Sequence, residues 1–593
     1  MRNRILQLSV AKLIAPFGPG AVVDVLGESF VTLTAENWPK RSLLNPIDCL
    51  RLSSRLGVQR FYGPPMVDDP ESNSALGITV ARFPSWLFCQ ACRRMVKWTR
   101  KEETGGHPEC PVDSGRLVPM RFVAVCRERS HASDIPWGHW VHGPGSDATC
   151  RVGSHLRFQP VEGGSPGLSG LEVSCEVCRK RRNLGELRGD VFIREGIRCH
   201  GTQPWEAEWR ECESPLEVIQ RGATSFHYGD TEAAIDIPDV STSSINVEDK
   251  ILAHALFLGL KDTLDEPFSY ALAQQIGIAS GTTAEVVLAI AKRKADGAID
   301  AATVRGEILG EEFAAFHAAA RDDADENNFK TRAARFSEES TDPVERQLAA
   351  LIDSVVLVDR LREVRASIGF KRYRPNSERI SAVLNDGTEA SWLPAYEGFG
   401  EGIFVRFRGE VVDRWASQAS VGARSELLRE KAANSELAKS LHPFSPQYVA
   451  LHSFAHALIR EFAFSAGYAA AALHERIYAD ASDYGIFIYT TSTDNEGTLG
   501  GLVREGEVDR LGSSLARSVE QLSWCSNDPV CGESQPQNID GLNLAACHSC
   551  LLASETSCDG FNLLLDRTLL VGSADGKVPG LLASIVQAVS TRS

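Results

Sequence analysis

The sequence predicts an α+β multidomain protein: a zinc-ribbon-rich N-terminal domain, a helical middle, and a C-terminal α/β domain with a cysteine-clustered zinc site. Three observations predict it. The chain has 593 residues, enough for several hydrophobic cores. Ten of its fifteen cysteines lie between Cys49 and Cys212, five between Cys525 and Cys558, and none in the gap. The gap itself is rich in Ala, Leu, Glu and Arg, all good helix formers. These features place a zinc-binding domain at 1–230, a mainly helical bridging region at 231–440 and an α/β zinc module at 441–593. The polar, turn-rich stretch 229–249 reads as the first linker.

Hydrophobic residues make up 43% of the chain and charged residues 24%, as in an ordinary globular protein. The basic, apolar N-terminus is broken by Lys12, Pro16 and Gly18, so it does not read as a signal peptide. With no run of about 18 apolar residues, no membrane span is expected. A cytoplasmic location follows as the expectation. In that reducing setting clustered cysteines mean metal or catalysis before disulfides.

In the first domain "CQAC" supplies Cys89 and Cys92, and "HPEC" repeats the spacing with His107 and Cys110. Two cysteines three apart in a tight turn both reach one tetrahedral Zn²⁺. Asp113 in "CPVD" is the rival fourth ligand, and the preference of structural zinc for N and S favours His107. "CEVC" supplies Cys175 and Cys178, for which Cys199 and Cys212 are the expected partners, with His200 competing against Cys212. Cys126, His131 and Cys150 are expected to be two buried thiols and a surface histidine, and Cys49 a core residue.

The two knuckles run into basic segments, Arg93, Arg94 and Lys97 after the first and Arg179, Lys180, Arg181 and Arg182 after the second. Residues 1–230 hold 29 Lys and Arg against 26 Asp and Glu, whereas the whole chain is at −16 and the remainder at −19. Such an acidic chain is no autonomous nonspecific DNA binder. DNA contact, if made, uses these local patches.

In the middle, 344–370 is periodic enough to predict one long helix. In the last domain a helix is expected over 445–464, capped by Ser445 with Pro446 in its first turn. His452 and His456 share one of its faces, where polar packing is favoured over a metal pair. A second helix is expected over 467–479, a buried strand over 484–491, and an amphipathic helix bearing Leu511, Leu515, Val519 and Leu522. Cys547 and Cys550 form a further knuckle, and two of Cys525, Cys531 and Cys558 should complete its zinc shell. At least three structural Zn²⁺ are therefore expected.

No Walker A lysine motif, DExH box, HExxH or GxGxxG occurs, so no nucleotide or protease chemistry is indicated. The alternatives are a hydrolase or nuclease near His452, His456, Asp494 and Glu496, and a scaffold that only binds protein.

"YTTSTDNEGTLGGL", "CSNDPVCG", "AACHSCLLASETSC" and "FNLLLDR" resemble the domain appended to MrfA-type DNA-repair helicases. "LIAPFGPGAVVDVLGESF", "FPSWLFCQAC", "LVPMRFVAVC" and "HASDIPWGHW" resemble the DrmB proteins of the DISARM antiphage system. The resemblance implies a noncatalytic partner of DrmA, a superfamily 2 helicase. It also implies a complex that engages foreign DNA, while methylation by another enzyme spares self. The sequence departs from the expected pattern at His107 and Asp113, where a second CxxC would stand.

Overall fold

The computed structural model describes residues 8–65, 77–103, 106–143, 150, 155–161, 163–164, 167–187, 191–238, 247–252, 254–264, 267–295, 301–374, 376–383, 391–435, 438, 444–480, 482–492, 500–533, 536, 541–554 and 557–591. The chain divides into two units. The first holds residues 1–47, 60–232 and 366–396; the second holds 48–59, 233–365 and 397–593. Residues 231–440 are thus shared between them.

The first unit is built from small antiparallel sheets. Three of their strands end in a cysteine: Trp86–Cys89, Phe122–Cys126 and Leu171–Cys175. Strand Trp86–Cys89 pairs with Met95–Lys97 and Leu117–Pro119. Strand Leu171–Cys175 lies between Leu156–Pro160 and Arg181–Asn183. Trp137 and Trp140, fully buried and packed edge to face, anchor the core among these sheets.

The second unit is layered helix, sheet, helix. Its sheet includes the antiparallel hairpin Leu473–Asp480 and Asp483–Ser492, and strand Trp392–Phe407 pairs with the latter. Side chains alternate across the sheet, as the pleat requires. Ile486, Ile488, Val355, Leu357, Ile403 and Val405 join the core on one face. Phe487, Tyr489, Val356, Val358 and Phe404 join the other, with Phe313 and Phe316 of helix Ala301–Ala319. The first face carries helix Pro446–Ser465, buried from Tyr448 through Ile459. Its start is as expected: the Ser445 side chain accepts from Tyr448 N at 3.0 Å. Helix Val508–Leu522 packs there through Leu511, Leu515, Val519 and Leu522.

Three expectations change. The predicted helix 344–370 is a helix only over Pro343–Leu351; strand Ile352–Lys371 follows. Its Val355–Val358 run is buried on both faces, and β-branched residues fit the pleat better than a helix. Ala-rich 467–479 forms a short turn and then strand Leu473–Asp480, because hairpin pairing overrides local propensity. The expected linker begins inside strand Tyr228–Ile235. Among the described residues, no helix is long and apolar enough to cross a membrane.

Candidate metal centres

The first knuckle starts where strand Trp86–Cys89 ends. Arg93 N donates to Cys89 O at 3.0 Å, Cys89 N to Arg94 O at 2.8 Å, and Ala91 N to Cys89 Sγ at 3.3 Å. Arg93 takes the left-handed conformation that closes the turn. The chain repeats this turn at Cys110. Ser114 N donates to Cys110 O and Cys110 N to Gly115 O, both at 2.9 Å, and Ser114 has positive φ. "CPVD" is therefore a CxxC knuckle with Asp113 in the second ligand position. Asp113 Oδ1 lies 3.4 Å from Cys89 Sγ, and Cys92 Sγ lies 3.7 Å from Cys110 Sγ. A Cβ on Gly115 would sit 2.7 Å from Cys89 Sγ, so glycine keeps the site open. The Gly115 N–H, donating to Asp113 Oδ1, holds that carboxyl well below the usual range.

His107 is the correction. It stands outside this group, with Nδ1 paired to Glu28. Knuckle geometry outweighs zinc's average preference for nitrogen. His107→Ala should keep the parent's bound zinc, Asp113→Ala should weaken binding at this centre, and Asp113→Cys should tighten it. Competition with a chromophoric chelator measures all three.

The second knuckle has the same form. Arg179 N donates to Cys175 O at 3.0 Å and Cys175 N to Lys180 O at 2.8 Å, with Arg179 at positive φ. Its partners are not Cys199 and Cys212. They are His142, which ends helix Trp137–His142, and Cys150. His142 Nδ1 lies 2.6 Å from the Gly138 carbonyl, which can only accept, so Nδ1 carries the proton. The buried Nε2 has no hydrogen-bond partner. That leaves its lone pair for a metal, the usual arrangement of a ligating histidine.

Cys199 and Cys212 instead meet Cys126 and His131. Cys126 and Cys212 sulfurs are 3.9 Å apart, and His131 Nδ1 is 3.4 Å from Cys199 Sγ. The expectation of isolated thiols at Cys126 and Cys150 is thus replaced by two separate groups. Neither pairing is visible in spacing, because each joins cysteines distant in sequence. His200 stacks on Trp209 at 3.9 Å rather than approaching sulfur. Cys49 belongs to none of these groups.

In the second unit Cys525, Cys531, Cys547 and Cys550 form a four-thiol group. The sulfur pairs Cys525–Cys547, Cys531–Cys550 and Cys547–Cys550 stand 3.5, 3.7 and 3.7 Å apart. Asp528 accepts from Cys525 N at 2.8 Å and Gly532 N at 3.0 Å and pairs with Arg567, which fixes the loop behind the sulfurs. The unplaced fifth cysteine, Cys558, lies elsewhere, beside His452, His456 and Glu475.

These distances decide the chemistry. Zinc bound to sulfur at about 2.3 Å sets a tetrahedral edge of about 3.8 Å. Disulfide sulfurs would be about 2.05 Å apart. The observed separations fit the first and exclude the second, and thiolate with imidazole is a zinc donor set.

The comparisons agree with that chemistry. Residues 454–551 match the MrfA Zn-binding domain, and residues 9–228 match a domain of unknown function (DUF8724). A DISARM protein DrmB of Bacillus paralicheniformis is 31% identical over 521 residues, covering 84% of this chain and 89% of the relative. The chain belongs to the DISARM DrmB family. It is a mixed α/β member whose cysteine clusters are positioned for structural Zn²⁺. In DrmB-family terms, three of the groups fall within the DUF8724 match and the four-thiol group within the MrfA Zn-binding match.

The basic residues divide by role. Arg94 donates to Glu176 at 2.9 Å, joining the first knuckle to the second. Arg182 pairs with Glu186 and Glu195 and lies over the Trp140 ring. Lys180 donates to His142 O at 3.1 Å. Arg93, Lys97, Arg179, Lys180 and Arg181 are exposed. Of the alternative enzymatic site, His452 and His456 are buried. Asp494 and Glu496 lie outside the described residues.

Proposed function

We propose that this chain is a noncatalytic, zinc-stapled subunit of a DISARM defence complex, pairing with a superfamily 2 helicase and touching DNA through that complex. The carrying observation is the kinship over most of the chain with a DISARM protein DrmB, ending in a module of the MrfA Zn-binding family. Such a module resembles one that elsewhere belongs to a helicase chain. Carried without nucleotide-handling motifs, it must regain its motor through a protein interface.

One edge of the second unit suits that interface. Glu461 accepts from Arg517 at 2.6 Å and Gln521 at 3.4 Å, which sets the last turns of two helices side by side. There Phe464 is 87% exposed and Trp524 67%. Large exposed aromatics serve as interface anchors. Phe464→Asp with Trp524→Asp should weaken helicase binding about thirtyfold, the roughly 2 kcal/mol of one hot spot. Fluorescence anisotropy with the labelled helicase measures it, and unchanged affinity removes this edge from the interface.

For DNA, Arg93, Lys97, Arg179 and Arg181 are the phosphate-contacting candidates, while Arg94, Lys180 and Arg182 are engaged in holding the knuckles in place. The test uses the complex with Arg179→Ala/Arg181→Ala. Affinity should fall alike for all duplex sequences, and the log–log salt slope should flatten by about 0.9 for each phosphate that is no longer neutralised. A folded variant with the parent's affinity and slope refutes the DNA role of this patch.

A further inference from the structure

Four metal-binding side chains converge in the second unit away from the four-thiol group. His452 and His456 come from successive turns of helix Pro446–Ser465, Glu475 from strand Leu473–Asp480, and Cys558 from the loop beyond Cys550. None of them is more than 4% exposed. His452 Nε2 lies 3.0 Å from Glu475 Oε1 and 3.2 Å from Cys558 Sγ. His456 Nε2 lies 3.2 Å from the same Glu475 oxygen.

Hydrogen-bond accounting shows what is missing between them. His456 Nδ1 is 2.9 Å from the carbonyl oxygen of Leu551. That oxygen only accepts, so Nδ1 carries the ring proton. A neutral His456 then turns the Nε2 lone pair towards a carboxylate oxygen, and two acceptors repel. Glu475 Oε2, also buried, has no hydrogen-bond partner. A second proton on His456 would relieve one contact, but it would leave that oxygen unengaged. A metal cation engages all four groups at once. Asn562 N approaches Cys558 Sγ at 3.4 Å, as backbone donors do at ligating thiolates. A Cβ on Gly560 would stand 3.1 Å from His452 Cε1, so glycine preserves the space.

We propose that His452, His456, Glu475 and Cys558 form a separate, mixed-ligand Zn²⁺ site. One thiolate and one carboxylate balance the two positive charges, so the buried centre is neutral overall and its burial is tolerable. Binding releases the Cys558 thiol proton to solvent. The donors leave no solvent-exposed position, so the site is structural rather than hydrolytic. It ties the helix, the strand and the C-terminal loop together. It also touches the four-thiol centre through His456, whose Nδ1–H donates to the residue directly after Cys550. The MrfA Zn-binding match ends at residue 551, before Cys558, so the site extends beyond that module.

The test needs no variant. Crystals of the full chain, made with zinc supplementation, are measured on both sides of the zinc absorption edge. The anomalous difference map should show a peak within bonding distance of all four side chains. No peak there overturns the proposal, whether or not the cysteine groups are filled. A peak appearing only at another metal's edge overturns the zinc assignment. As a second measurement, the soluble double variant His456→Gln/Cys558→Ser should contain one zinc equivalent per chain fewer than the parent. An unchanged count also overturns it, and an insoluble variant leaves the decision to the map.

Discussion

Cys547→Ser with Cys550→Ser is expected to unfold the C-terminal module, not merely to loosen it. Among the described residues of 525–567 there is little regular structure; helix Val530–Glu533 is four residues long. Yet Leu542, Leu544, Leu551 and Leu563–Leu565 are buried in the main core. The four-thiol centre is what closes these loops over that core. Structural zinc contributes apparent free energies of about 10–16 kcal/mol in zinc-finger peptides, as large as the whole stability of a typical domain. Limited proteolysis should cut the variant within 525–567 while the parent resists. A variant that melts and resists proteolysis like the parent would show that packing alone holds the module.

A second large effect is expected at Glu312, whose side chain is fully buried on helix Ala301–Ala319. Its carboxylate accepts from Arg476 Nη1 at 2.7 and 2.8 Å, Arg51 Nη2 at 2.9 Å, Tyr478 Oη at 3.2 Å and Ile235 N at 2.9 Å. Glu312→Ala leaves the buried Arg476 with Glu363, 3.1 Å away, as its remaining carboxylate partner. Breaking one side of such a pair costs about 3–5 kcal/mol. The paired change Glu312→Leu/Arg476→Met should recover part of that loss, because Glu363 keeps Arg365 and Arg51 keeps Glu311 as partners. Denaturant unfolding measures both variants. A loss below about 1 kcal/mol for Glu312→Ala, typical of a surface pair, would contradict this reading of the network.

What the sequence revealed was local. A CxxC pair announces itself because both ligands sit in one turn, and Cys89/Cys92, Cys175/Cys178 and Cys547/Cys550 each occupy such a turn. The completing ligands come from folding. Cys126 and His131 reach Cys199 and Cys212 only when strand Phe122–Cys126 pairs with Leu216–Gln220. Asp113 was legible as the rival ligand because "CPVD" keeps the length of a CxxC knuckle; average zinc preference for nitrogen is what turned the choice to His107. Glu475 carried no signal, since it lies on a segment whose alanines suggested helix. Likewise Ser445, Pro446 and a 3.6-residue apolar stripe fixed the start of helix Pro446–Ser465. The run Ile352–Lys371 is buried on both faces, so its periodicity could not separate strand from helix.

We propose that this DrmB-family chain serves a helicase without being a motor. The direct test is to purify the chain, the neighbouring helicase and the two together in high salt, where screening removes weak charge contacts, and to assay DNA-stimulated ATPase in each. The expected results are a stable heterodimer, no ATP hydrolysis by this chain alone, and faster hydrolysis by the pair than by the helicase alone. ATP turnover by the isolated chain, or a helicase that elutes separately and works equally well without it, would rule out this role.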